Sequence, residues 1–239
     1  IYSCMDIISA KERFLEGQLL LIDKPLGWTS FQVVNKIRWA IRKEFDIKKI
    51  KVGHAGTLDP LATGLMLICT GRMTKQIEQF MGMHKTYTGS FRLGATTPSY
   101  DLETSLSEPK PTDHITAEII EEVRADFLGN IEQKPPLHSA IKKDGKRLYT
   151  LARAGKTTEI PSREVQIIDF ILTEINLPDL SFNVSCSKGT YIRSLAHDFG
   201  QKLGCGAHLT SLKRTAIGSY KLSDALTLDA FLHSLNAKS

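Results

Sequence analysis

Leu180-Ser181-Phe182-Asn183-Val184-Ser185-Cys186-Ser187 is followed without a break by Lys188-Gly189-Thr190-Tyr191-Ile192-Arg193. In the first run the apolar residues 180, 182, 184 and 186 alternate with polar ones, the period of a half-buried strand. In the second the period changes. Ile192, Leu195, Ala196, Phe199 and Leu203 fall at the three- and four-residue spacing of one helical face, with Thr190 near the start and Gly204 just past the end. The junction of strand and helix is a place where backbone N–H groups and the helix dipole attract anions. Arg193 sits in the first turn of that helix.

Working outward, Leu19 to Ile22 reads as a buried strand stopped by Lys24-Pro25-Leu26-Gly27. Thr29 or Ser30 then caps a helix with the stripe Val33, Val34, Ile37, Ala40 and Ile41. Leu65 to Cys69 is a short strand, 73 to 81 a helix, and Lys85 to Leu93 a second alternating strand. Loop residues run to about 112. Ile115, Ile119, Ile120, Val123 and Phe127 mark a helix closed by Gly129, and Asp144-Gly145 is a hairpin turn. A strand over 207 to 220 and a helix over 228 to 235 complete the chain. Strands occur both as neighbours and separated by helices, which predicts an α+β fold: a mixed, largely antiparallel sheet with helices packed against it, in one continuous domain.

The chain has 239 residues, 41% hydrophobic and 24% charged, enough apolar material for a core. Its longest apolar runs fall far short of the roughly 18 residues of a membrane span, and no export signal is visible, so a cytoplasmic location is expected. The four cysteines lack Cys-x-x-Cys spacing and the histidines form no helical metal pair, which argues against zinc and against a disulfide framework. No metal and no cofactor is expected. Charge is segregated. Residues 36 to 51 hold Lys36, Arg38, Arg42, Lys43, Lys48, Lys49 and Lys51 against Glu44 and Asp46, and 134 to 163 form a second basic block. Between them, 101 to 132 are acidic. Such blocks suit a face for a polyanion, although ordinary solvated helix faces give the same pattern.

The segment Gly53-His54-Ala55-Gly56-Thr57-Leu58-Asp59-Pro60-Leu61-Ala62-Thr63-Gly64 is too rich in small residues to be core. Pro60 drives Asp59 into an extended conformation and fixes where its carboxylate points. Asp before Pro is also a helix N-cap pattern, but only three residues separate Pro60 from Gly64 and no helix follows. His54 could be a structural histidine, Arg193 the partner of a surface acid, and Tyr87 a core-facing aromatic. Two decoys fall away. Gly155-Lys156-Thr157 lacks the upstream glycine of a phosphate loop, since position 150 is Thr, and Asn183-Val184-Ser185 lies in the best strand of a chain without an export signal.

These segments together resemble the TruB family, the tRNA pseudouridine-55 synthases. The likeness runs from Asp23-Lys24-Pro25-Leu26-Gly27-Trp28-Thr29-Ser30, through the Gly53 to Gly64 loop, Lys85-Thr86-Tyr87 and Pro135-Pro136-Leu137-His138-Ser139-Ala140, to Cys186 to Arg193 and Leu203 to His208. The resemblance implies the pseudouridine synthase fold and an isomerase that acts on uridine 55 in the T-arm of tRNA. Asp59 looks like the catalytic aspartate, Tyr87 like the active-site tyrosine that stacks on uracil, and Arg193 like the arginine that pairs with the aspartate. Leu212 resembles an apolar wall of the pocket, and Lys24, His54 and Tyr191 match positions lining the flipped-nucleotide site. Residues 130 to 155 resemble a basic thumb that closes over RNA. Only about twenty residues follow Tyr220, so the chain looks like a short form without the C-terminal PUA domain of many members. The expected partner is tRNA, with no membrane and no obligatory protein partner, the enzyme acting as a monomer. The rival reading from another class is a non-catalytic RNA-binding chaperone.

Overall fold

The computed structural model describes residues 4–139, 142, 143, 146, 147 and 160–236. The chain forms two compact units, one of residues 1–86 and 213–239, the other of 87–212. In the first unit, α1 (Cys4–Glu16) leads into β1 (Leu19–Lys24), α2 (Ser30–Glu44), β2 (Val52–His54) and β3 (Ala62–Thr70). A 3-10 turn (Gly71–Gln76) and α3 (Ile77–Gly82) follow, then the start of β4 (Lys85–Leu93).

β1 runs antiparallel to β3 from Leu19 opposite Cys69 to Lys24 opposite Gly64, and β2 pairs with the far end of β3. β3 is buried along nearly its whole length, which explains its unbroken apolar run. Leu65, Leu67 and Cys69 join Ala55, Phe80 and Ile217 in one core cluster. Thr29 caps α2 with a full capping box: its side chain accepts from Gln32 N, and Gln32 accepts from Thr29 N. The stripe Val33, Val34, Ile37 and Ile41 is buried as the spacing predicts, and α2 packs against the last helix, α6 (Leu228–Asn236).

The second unit holds the rest of β4, α4 (Ala117–Ala125), β5 (Gly129–Gln133), the two-residue strands β6 (Lys142–Lys143) and β7 (Lys146–Arg147), β8 (Arg163–Asn176), β9 (Asp179–Cys186) and α5 (Ile192–Lys202). β10 (Ala207–Ile217) starts here and ends in the first unit, where β11 (Tyr220–Lys221) and β12 (Leu226–Thr227) follow it. β8 and β9 form a hairpin from Ile167 opposite Cys186 to Asn176 opposite Asp179, and β5 lies along the other edge of β8. β1 pairs with β12 in parallel, while β1 with β3, β2 with β3, β5 with β8, β8 with β9 and β10 with β11 are antiparallel. The sheet is therefore mixed and largely antiparallel, as expected.

Phe199 of α5 is the hub of the second core. Its ring lies 5.1 Å from Phe91, 5.7 Å from Phe127 and 6.0 Å from Phe170, and Phe182 packs on Phe91 and Phe170. Helix and sheet thus meet through edge-to-face and offset ring pairs, each worth about 0.5–1.5 kcal/mol beyond its buried area.

Several expectations need correction. The helix over 73–81 is a 3-10 turn followed by six α-helical residues, because the Thr74 hydroxyl donates to Gly71 O and occupies an acceptor of the first turn. Ile119 is 39% exposed, so the stripe of α4 is narrower than its apolar letters suggest, and Gly129 opens β5 instead of closing the helix. The strand over 207–220 turns back at Gly218 into β11. β5, β8 and α1 were not anticipated. β8 hides its period because bulges interrupt it twice and Ile168, Ile171 and Ile175 are exposed. Asp144-Gly145 and much of the thumb lie outside the described residues, although the flanks of that turn do pair, Lys143 opposite Lys146.

Phe199→Ala is expected to cost about 3–5 kcal/mol, since a fully buried ring touching three others leaves a cavity that no single neighbour can fill. Urea unfolding followed by circular dichroism checks this.

Candidate active site

The Gly53 to Gly64 loop leaves β2 at His54 and enters β3 at Ala62. No helix begins after Asp59, so capping does not account for it. The loop is pinned on both sides of the aspartate. Leu58 N donates to Ser30 Oγ at 2.8 Å, and the same hydroxyl donates to Leu58 O at 3.0 Å. Beyond the aspartate, Pro60 O accepts from Gly27 N at 2.9 Å and Asp59 O accepts from Ala62 N at 3.1 Å. Asp59 itself is half-buried. Gly64 has φ +103°, and a Cβ there would meet the Arg214 backbone at 2.3 Å, so only glycine lets β3 and β10 approach at the base of the loop.

Two buried cations complete this half. Lys24 is fully buried, and its Nζ donates to Pro25 O at 2.9 Å, Trp28 O at 2.6 Å and Pro60 O at 3.4 Å. Burial pulls its pKa down to about 8, against the opposing pull of Asp59 and Asp23. Arg214, 1% exposed, donates from Nε to Leu65 O at 2.7 Å and from Nη2 to Gly56 O at 3.2 Å. His54 is held below the usual imidazole range by burial, opposed by hydrogen bonding to the Gly56 backbone and helped by the Arg214 charge, and its Nδ1 is buried without a hydrogen-bond partner. A neutral imidazole is therefore the form present near pH 7.

In the other unit, Arg193 is 3% exposed, not a surface residue. Its Nη1 donates to Ser99 O at 3.0 Å, its Nη2 to His138 O at 2.9 Å, and its Nε lies 3.6 Å from Asp101 Oδ2. Asp101 is buried too, and a knot of short-range bonds orients it: Glu103 N donates to its Oδ1, while Thr97 Oγ1 and Ser99 Oγ donate to its carbonyl. Tyr100 completes the turn in a left-handed conformation, φ 66°, with its ring stacked 3.8 Å from His197. Tyr191 stands at the N-cap of α5, its N–H donating to Gln133 Oε1 at 2.7 Å and its ring facing the Arg163 guanidinium at 4.7 Å. Tyr87 is 8% exposed on β4, and Leu212 is half-buried on β10.

Lys24, His54 and Asp59 thus fall together in the first unit, and Tyr87, Tyr191, Arg193 and Leu212 in the second. The sequence reading missed Ser30 as an anchor, Arg214 and Asp101. Arg214 could have been found: a charged residue stands at a buried position of β10, between exposed Lys213 and half-buried Thr215. Asp101 could not, because nothing in its loop distinguishes it from the other acids of 101 to 132.

Residues 42–192 match the model described as the TruB family pseudouridylate synthase N-terminal domain, and 193–239 match the tRNA pseudouridylate synthase B C-terminal domain. A tRNA pseudouridine synthase B of Flavobacterium johnsoniae is 57% identical over 225 residues, covering 94% of this chain and 98% of its own. One of Phocaeicola vulgatus is 55% identical over 218 residues, covering 91% and 93%. Among solved structures, the chain resembles one in a Cbf5-Nop10-Gar1 complex with a TM-score of 0.69 and 28% identity, over 93% of this chain and 55% of that one. Fold and relatives thus place the chain in the class of pseudouridine synthases, isomerases that convert uridine to pseudouridine. The chain belongs to the TruB family of pseudouridylate synthases.

The depressed Lys24 pKa has a definite sign. Folded Lys24 gives up its proton from about pH 8, unfolded Lys24 only near 10.5, so between these values the unfolded chain binds more protons and this group's contribution to stability rises with pH. Activity is expected to move the other way, falling as pH passes about 8, because a neutral amine grips the Pro25, Trp28 and Pro60 carbonyls less firmly. Lys24→Arg should shift that limb upward. A pH–rate profile of both proteins checks the difference.

Proposed function

We propose that this chain converts uridine 55 in the T-arm of tRNA to pseudouridine, with Asp59 as the essential carboxylate. The observation that carries this reading is the loop itself: hydrogen bonds fix the backbone at Leu58 and Pro60, directly before and after the half-buried aspartate. The names of the relatives supply the substrate class, tRNA.

The reaction breaks the bond from N1 of uracil to C1′, turns the base, forms a bond from C5 to C1′, moves a proton off C5 and leaves N1 protonated. Nothing is oxidised or lost. Asp59 serves as the anionic group at C1′ or C6, or as the base of a glycal route, and each of these needs it ionised. Arg193 is the residue type suited to keep it so, being always charged and able to bind a carboxylate in a two-pronged fashion. The turn that presents Asp101 to Arg193 holds the guanidinium in one orientation. Tyr87 offers a ring for the extruded uracil, offsetting part of the few kcal/mol that unstacking costs. Leu212, His54, Lys24 and Tyr191 line and support the nucleotide site. The enzyme works as a cytoplasmic monomer without an obligatory protein partner.

Asp59→Asn should abolish pseudouridine formation while tRNA affinity stays within about twofold, since one carboxylate adds little to a phosphate-dominated interface. Nucleoside analysis of tRNA after incubation with the purified protein, alongside a binding titration, decides it. Unchanged nucleosides with the native protein would favour the RNA-binding chaperone, the rival reading of the sequence.

A further inference from the structure

The outer face of α2 (Ser30–Glu44) is turned to solvent. Its buried arc is Val33, Val34, Ile37 and Ile41. On the opposite side, at the three- and four-residue spacing of one face, stand Phe31, Asn35, Trp39, Lys36, Arg42 and Lys43, and no acid interrupts them. Two large rings are left in solvent there, Phe31 at 67% and Trp39 at 55% exposure. Trp39 carries two ammonium groups, Lys36 and Lys43, each 5.2 Å from its ring centroid. The basic surface continues past the helix through Lys48, Lys49 and Lys51, all exposed.

The face also has a fixed starting point. Ser30, the first residue of α2, is the side chain that clasps Leu58 next to Asp59. From Phe31 to Lys43 the helix advances about 18 Å at its ordinary rise. A strip of alternating rings and cations therefore begins at the Asp59 loop and leads away from it. The rings lie two turns apart with Asn35 between them, so they make no continuous apolar stripe for a bilayer or a partner helix. Spaced rings with cations between them suit a nucleic-acid strand, whose phosphates take the lysines and whose bases or riboses lie on the rings.

We propose that the outer face of α2 is an RNA track, on which the strand leading away from the target uridine lays a nucleotide against Trp39 and two phosphates on Lys36 and Lys43. The identity of the RNA rests on the function proposed above, but the track is tested by binding alone.

The chain has two tryptophans, so Trp28→Phe leaves Trp39 as the sole indole. With tRNA added to that protein, Trp39 fluorescence should quench saturably and lose its accessibility to iodide. In the native background, Lys36→Glu with Lys43→Glu should weaken tRNA binding at least tenfold and lower the slope of log Kd against log salt by about 1.5, two phosphate contacts' worth. An unchanged melting temperature shows that these exposed residues are not needed for folding. Iodide access that tRNA leaves unaltered, or an affinity and slope unchanged by the double reversal, overturns the track. So does protection of Trp39 by phosphatidylserine vesicles but not by tRNA. If tRNA shields Trp39 but no pseudouridine forms, the track stands and the proposed reaction fails; pseudouridine formed while Trp39 stays open to iodide has the reverse meaning.

Discussion

A single hydroxyl, that of Ser30, closes a two-way hydrogen bond on the backbone of Leu58 and so fixes the residue before Asp59 to the first turn of a capped helix. Everything else in the first unit supports that clasp. The Thr29 capping box sets where α2 begins, the buried stripe of Val33, Ile37 and Ile41 sets how it lies, and the Asp59 loop inherits both. A side chain on a loop tied to rigid elements is held in place far better than one on a free loop, which is the arrangement the role proposed for Asp59 needs.

The loop is held by cations that spend themselves on carbonyl oxygens. Lys24 and Arg214 together serve Pro25, Trp28, Pro60, Leu65 and Gly56. Backbone carbonyls in a glycine-rich loop have no regular ladder to join, and leaving them buried without donors would cost about 1–3 kcal/mol each. A long cationic side chain satisfies several at once, and Lys24 also adds positive potential near Asp59. In the second unit Arg193 does the same for Ser99 and His138 while facing the buried Asp101.

Much of this was legible in the letters. The alternation of Leu180 to Cys186 and the stripe from Ile192 to Leu203 fix strand and helix correctly, because both bury one clean face. The capped start of α2 and the absence of a helix after Asp59 were equally readable. What failed had physical causes. β8 carries apolar residues on both faces and two bulges, so its period dissolves. The helix over 73–81 contains a threonine whose hydroxyl competes for backbone. The roles of Ser30 and Asp101 depend on partners 28 and 92 positions away in sequence, Leu58 and Arg193, and no local pattern encodes such a distance.

The first unit is assembled from both ends of the chain, residues 1–86 and 213–239, while the second is one uninterrupted stretch. On a ribosome, the middle portion can collapse as soon as it emerges, but the earlier portion must wait. Arg214, which ties down Gly56 and Leu65, is made only after the whole of the second unit. The aspartate loop is thus locked only after the second unit has been made, and a nascent chain, however well its middle has folded, holds Asp59 on an unsecured tether until then.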